Sequence, residues 1–442
     1  MKELKIILII WSVLLVSCQR QSDSPVQLTF DPKNHELADE FAFSPDSRWL
    51  FYRTRSGKMN SPDSFSIEKI EIRTGKKEIL YQASQLPEQL PEQFETVNYL
   101  PSSNEILFTS PVPLASGEIH YTGALIKADQ LNSAPAFADA RDQEPPFTSG
   151  ALQASTLEHQ PGGPNGRWVA FSYFDFNRFK WNPDEEMSLS GQTIGLTDLS
   201  QPVTVQNQNS KFCWSGAGFS RLLVKVVPNP GNKTNEIRRA YGARWIGNNE
   251  FSSTNGQQAY RLAFLGELAS GQSEIFIVEI PEEWSTRDLK KSPDFSRQLS
   301  SGTRQRRLTF TRSGCRGEIC SNPAGNLICF RSRDILKIWQ LFLISPFGND
   351  LIQLTTELSD VQPSIAWHPR AERVFYISDN QIRVIHSQIN APNFGHSRLF
   401  TEATVANPQK VAVSPDGKYL AYNGEVNGYL QIFLIPIPDS LW

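Results

Sequence analysis

Six polar residues recur at one position of a repeated pattern. Glu40, Thr96, His159, Glu318, Ser364 and Lys410 each stand five residues before a proline, at Pro45, Pro101, Pro164, Pro323, Pro369 and Pro415. The residue that follows each of them is mostly apolar. Carboxylates, an imidazole, an amine and hydroxyls gathered on one ring suit a small polar ligand or a metal ion. The plainer account is a wet channel whose polar lining needs no ligand. A second group, Glu236, Arg239, Tyr241 and Trp245, sets charge beside aromatic rings. Arginine in such company can stack or clamp a carboxylate, or the set can hold a long loop against a sheet edge.

Other chemistries lack their residues. Neither Ser215-Gly216-Ala217-Gly218 nor Ser313-Gly314-Cys315-Arg316-Gly317 makes a Gly-x-Ser-x-Gly nucleophile elbow. The six histidines are scattered, and no glycine loop with its lysine offers a phosphate cradle. The cysteine spacing matches no zinc site. The sequence therefore assigns no catalytic residue, cofactor or metal.

What must position the polar ring is the turn that follows it. Ser414-Pro415-Asp416-Gly417 leads into Lys418-Tyr419-Leu420-Ala421-Tyr422, and Ser44-Pro45-Asp46-Ser47 leads into Arg48-Trp49-Leu50-Phe51-Tyr52. Asn322-Pro323-Ala324-Gly325 is a third copy, with weaker ones at Pro101, Pro164 and Pro369. Proline presets φ, Asp, Asn or Gly completes the turn, and an apolar run enters a buried strand. His368 takes the place of Ser44 and Ser414, which makes it a structural residue. Pro323, Pro369 and Pro415 recur at a spacing of 46 residues, the length of a four-stranded propeller blade.

The chain thus predicts an all-β fold, a β-propeller of about seven four-stranded antiparallel blades, with six to eight as the range. The first unit is read as Phe41–Phe43, Trp49–Arg53, Ser66–Ile72 and Lys77–Tyr81. An irregular fourth unit contains Leu222–Val227, Ala243–Ile246, Arg261–Leu265 and Glu274–Ile280. Outer strands carry Arg307-Leu308-Thr309-Phe310 or Gln353-Leu354-Thr355-Thr356, and the last unit lacks one. Gln27-Leu28-Thr29-Phe30 has the missing pattern, so the N-terminal strand is expected to close the ring.

A formal net charge of -3 implies no basic surface for nucleic acid. Lys2 and Lys5 precede the apolar run Ile6–Val16, which is short for a membrane span. Leu15-Val16-Ser17-Cys18 resembles the lipobox of bacterial lipoproteins. That resemblance implies a signal peptide over 1–18, acylation of Cys18 and a tether over 19–25. With Gln19 after the cysteine, it implies a periplasmic protein anchored to the outer membrane. Residues 26–442 are expected to form a single propeller domain with insertions near 128–155 and 228–260. Of the other cysteines, Cys213, Cys315, Cys320 and Cys329, the close pair Cys315 and Cys320 allows a local bridge, and Cys329 reads as a buried thiol.

The Ser-Pro-Asp-Gly turn with its apolar strand is similar to the repeats of TolB-like, WD-related propellers of bacterial envelopes. Asn235–Tyr241, Trp245–Asn248, Glu274–Pro281 and Gln305–Thr311 resemble a bacterial family of such propellers catalogued as a domain of unknown function. At Gln153–Gln160, where a His-x-His pair would sit in the third unit, His159 alone is present. The lipobox, the all-blade repeat and the lack of a catalytic constellation point to a monomeric binding or scaffolding module for an envelope protein or glycan, with no nucleic acid. The alternative is a metal-assisted polysaccharide lyase or glycan hydrolase at the channel mouth, with His159 and Glu40 or Glu318 as base or metal ligand.

Overall fold

The repeated turn is built by its own side chains. Ser44 Oγ donates to Asp46 Oδ1 at 2.5 Å and accepts the Trp49 amide at 2.9 Å, while Asp46 Oδ1 accepts the Arg48 amide at 3.1 Å. Ser414 and Asp416 repeat the arrangement with Tyr419 and Lys418. In the third copy Asn322 Oδ1 alone accepts the Asn326 and Leu327 amides. Each side chain satisfies amides that the turn leaves unpaired, so the strand that follows starts in fixed register.

The structure, a computed structural model, describes residues 24–39, 41–56, 64–83, 96–113, 119–174, 192–206, 213–227, 229–231, 233–247, 259–284, 303–348, 351–370, 372–401 and 407–438. Their strands form seven antiparallel sheets of four strands each, the blades of a β-propeller. Blade one is β2 (Asn34–Leu37), β3 (Trp49–Ser56), β4 (Ser64–Glu71) and β5 (Lys77–Ala83). Blade two is β6 (Val97–Leu100), β7 (Glu105–Pro113), β8 (Ile119–Lys127) and β9 (Ala136–Phe137). Blade three is β10 (Ser155–Gly162), β11 (Trp168–Phe174), β12 (Thr193–Asp198) and β13 (Phe219–Leu222). Blade four is β14 (Arg239–Trp245), β15 (Ala259–Glu267), β16 (Ser273–Pro281) and β17 (Arg304–Arg307). Blade five is β18 (Cys315–Ser321), β19 (Ile328–Arg333), β20 (Trp339–Ile344) and β21 (Ile352–Gln353). Blade six is β22 (Val361–Trp367), β23 (Arg373–Ser378), β24 (Gln381–His386) and β25 (Ser397–Leu399). Blade seven is β26 (Val411–Val413), β27 (Tyr419–Val426) and β28 (Tyr429–Pro436), with β1 (Val26–Gln27) as its outer strand.

The N-terminal strand closes the ring as the sequence predicts. Val26 pairs with Leu434 and Gln27 with Phe433, and the Ile432 amide donates to Thr29 Oγ1 at 2.9 Å. Side chains seal the same seam: Asn423 Oδ1 accepts the Leu37 amide at 3.0 Å, and Asn34 Oδ1 accepts the Leu430 amide at 2.9 Å. On the face with the Ser-Pro-Asp turns, neighbouring blades touch through those turns. His368 Nε2 lies 3.0 Å from Gly417 O, and the Asp416 amide donates to Ser47 Oγ at 3.2 Å. His368 is structural, as expected.

Three readings are corrected. The inner strand of blade one is Asn34–Leu37, upstream of Phe41–Phe43, where only Phe43 bridges Leu50. The fourth unit opens at Arg239, because blade three takes Phe219–Leu222 as its outer strand. No disulfide joins Cys213, Cys315, Cys320 or Cys329, so the local bridge that Cys315 and Cys320 allow is absent, while Cys329 is the buried thiol expected.

Apolar faces of adjacent blades pack into the core. Trp168 of blade three meets Trp284 edge-on at 5.7 Å and Trp245 of blade four at 6.3 Å. A Cβ at Gly162 would fall 2.4 Å from the Trp245 ring, so this close approach requires glycine.

Candidate site in an axial cup

Inner strands are not smooth at the axis. Register shifts separate Leu157 from Gln160 in β10, Tyr241 from Arg244 in β14, Arg316 from Cys320 in β18 and Val361 from Ile365 in β22. A bulge re-aims the side chains within it. Glu158, Gly242, Glu318 and Ser364, all inside these breaks, line one axial cavity of about 500 Å³. Asp39, Thr96 and Lys410, lying just outside the inner strands of blades one, two and seven, complete the ring. All seven blades contribute. The lining comes from the inner strands and their flanks, with Arg53, Leu265 and Asn423 of second strands.

The cup has two kinds of wall. At the seam between blades seven and one, Glu36 accepts Arg53 Nε at 2.6 Å and lies 3.8 Å from Arg55 Nε. Lys410 Nζ bonds Asp39 Oδ1 at 2.7 Å and Leu37 O at 3.0 Å. Burial opposes ionisation of both acids, yet the surrounding cations hold their carboxyls below the ordinary range. Across the ring, blade four presents Arg239, Tyr241 and Arg244. The Arg239 guanidinium stacks on Tyr241 at 4.1 Å and is fixed by Gln192 Oε1 at 2.8 Å and Glu267 at 3.6 Å. Tyr241 OH reaches Ser273 Oγ at 2.9 Å. Glu158 accepts the Gly242 amide at 3.0 Å and the Ser172 hydroxyl.

Glu318 differs from the other acids. Burial pushes its carboxyl up, and Asp39 adds to this, against the opposing pull of Arg244 and Lys410. One cup therefore holds an acid biased toward the protonated form and another biased toward the carboxylate.

Of the six residues on the sequence-predicted ring, Thr96, Glu318, Ser364 and Lys410 line the cup. Glu40 lies outside the described residues, as does Cys18. His159 is placed behind the wall, fully buried between Thr109 Oγ1 at 2.9 Å and Thr156 Oγ1 at 3.1 Å. Burial lowers its imidazole to about 4, so it is neutral near pH 7. The second predicted group divides. Arg239 and Tyr241 enter the cup, whereas Trp245 is buried with Nε1 on Gln160 O at 3.1 Å. Glu236 lines a separate lateral cleft and holds the Gly231 amide at 2.8 Å and Lys233 at 3.1 Å. Sequence reasoning passed over Glu36, Asp39, Arg53, Glu158 and Arg244. Asp39 and Glu158 each stand one residue before a predicted position, and for Glu158 the bulge in β10 supplies that shift. Among the described residues, no three His, Cys, Asp or Glu side chains converge as a metal site.

Seven four-stranded blades around a charged axial cup define a seven-bladed β-propeller. The chain belongs to the family of the uncharacterized protein YidR of Escherichia coli (strain K12). The two are 31% identical over 422 residues, covering 90% of this chain and 94% of the relative. No protein-family model matches the chain. Among solved structures, an oligogalacturonate lyase in complex with manganese is similar in fold at a TM-score of 0.55 and 12% identity, over 94% of this chain and 93% of that one. The oligogalacturonate lyase of Vibrio parahaemolyticus is similar at 0.50 and 10%, with coverage of 94% and 93%. A putative TolB from Agrobacterium tumefaciens is similar at 0.40 and 15%, with coverage of 84% and 98%.

Proposed function

We propose that this protein is a binding module whose axial cup takes a small acidic, polyhydroxylated ligand, a unit of an envelope glycan. The observation that carries the reading is the polarity of the cup. Blade four offers guanidinium groups and an aromatic ring, while the seam offers carboxylates already neutralised by Arg53 and Lys410. A ligand carboxylate suits the arginine wall, hydroxyls suit the seam acids, and a sugar's C–H face suits Tyr241. Calorimetric titration with a uronic acid monomer tests it. Arg244→Met is expected to lower affinity about tenfold or more, the loss of a charge-assisted bond. Absence of binding by the unaltered protein would sink the reading.

A second reading, a polysaccharide lyase or glycan hydrolase at the same cup, is favoured by the opposite biases of Glu318 and Asp39. Its metal-assisted form lacks a donor set among the described residues. Incubation with an oligouronate, followed by chromatography of products from the native protein and Glu318→Gln, tests this reading. No product from the native protein rejects it.

The same proposal includes a periplasmic location, with acylated Cys18 as the outer-membrane anchor. Cys18→Ala should release the protein into the soluble fraction; continued membrane association after a high-salt wash would count against it.

A further inference from the structure

One feature beside the cup is not used by the cup itself. Gly317 lines the cavity at φ +84, and a Cβ there would fall 2.7 Å from an Arg331 guanidinium nitrogen. The absent side chain makes room for Arg331, which is buried and donates from its guanidinium to Val361 O at 2.6 Å. Arg331 lies over the Trp339 ring at 5.5 Å, and Arg333 lies over the same ring at 5.0 Å. Register sets these residues side by side across blade five: Arg316 opposite Arg331, and Arg333 opposite Trp339. Lys337 follows at the tip of the β19–β20 hairpin, at the end of the blade opposite the Ser-Pro-Asp turns. Arg316, Arg333 and Lys337 are exposed and have no ion-pair partner among the described residues.

The acids of this corner are engaged in building it. Asp334 accepts the Leu336 and Ile338 amides at 2.8 and 3.0 Å, and Asp360 accepts the Trp339 amide at 2.9 Å. Glu357 is bound by Tyr376, Arg383 and Ser397. Arg316, Arg333 and Lys337 face solvent, and Trp339 limits the freedom of the Arg333 guanidinium, which would otherwise lose entropy on binding. A line of held cations that starts at a concave site matches a linear polyanion with one end in that site.

We infer that the row Arg316, Arg333 and Lys337 on blade five carries successive units of an anionic polysaccharide whose terminal unit occupies the axial cup. The inference rests on the cup reading above and extends it from a single unit to a chain. A saccharide is preferred over an acidic peptide because the cup offers paired carboxylates suited to hydroxyls.

The test compares a uronic acid monomer with its oligomers by calorimetry, using the native protein and an Arg333→Gln, Lys337→Gln double variant. Both changes are at exposed positions, and a melting curve verifies folding. The oligomer is expected to bind on the order of tenfold to a hundredfold more tightly than the monomer. The double variant should remove that gain, leave monomer affinity unchanged and flatten the salt dependence of oligomer binding. Monomer binding with no oligomer gain overturns the row and leaves the cup reading standing. A gain that survives the double variant also overturns it. Absence of binding by either ligand overturns both, and poly-glutamate that competes equally overturns the saccharide assignment.

Discussion

Lys410 and Asp39 meet at 2.7 Å across the seam where blade seven joins blade one. The pair belongs both to the closure of the ring and to the wall of the cup, so stability and binding share one contact. Lys410→Met should lower unfolding free energy by about 1–3 kcal/mol, the cost of leaving a poorly solvated carboxylate without its cation. Asp39 is held below the ordinary carboxylate range in the folded protein. Its contribution is present above the unfolded value and is lost as pH falls through the folded one. The difference between native and variant melting temperatures should therefore shrink below about pH 4. A constant difference across that range would show that the pair is not responsible.

Glu318 should behave in the opposite sense. Its carboxyl is raised by burial, so the folded state retains a proton that the unfolded chain has released. Its contribution therefore falls as pH rises from the unfolded value through the folded one. Glu318→Gln is expected to be neutral or stabilising at pH 7 and to flatten that part of the profile. Loss of stability at pH 7 would contradict this.

The latch can be tested without deleting it. Thr29 Oγ1 accepts the buried Ile432 amide, and Thr29→Val removes the acceptor while keeping the shape. A loss of about 1–2 kcal/mol is expected in denaturant titration. An unchanged midpoint would argue that the Thr29 contact contributes little to closure.

Gly417 and His368 form the third joint. Gly417 has φ +73, and an added Cβ would sit 2.5 Å from His368 Nε2. Gly417→Ala should cost about 1–3 kcal/mol through both strain and crowding. Pairing it with His368→Ala should recover the crowding part alone, which a double-mutant cycle measures as non-additivity.

The scaffold was legible because turn chemistry is local. Ser44 with Asp46 and Ser414 with Asp416 announce the same strand entrance wherever they occur, and the shared Leu-Thr pattern matched Leu28-Thr29 to its distant blade. The cup was less legible because a bulge changes which neighbour faces the axis. Counting back from Pro164 reaches His159, but the irregularity between Leu157 and Gln160 brings Glu158 inward at φ +54. Strand alternation cannot announce such a phase change. Arg244 was passed over for a related reason: it is aligned with the cup only by the shift between Tyr241 and Arg244.

Pairing Val26 and Gln27 with Leu434 and Phe433 also sets the order of events during synthesis. The first strand made must wait for nearly the last one made, while six complete blades form between them. Any chain interrupted before Tyr429 leaves the waiting strand without its partner and the final sheet with an open edge. Incomplete copies are thus structurally distinguishable from finished ones, and proteases that recognise unpaired edges have a basis for removing them.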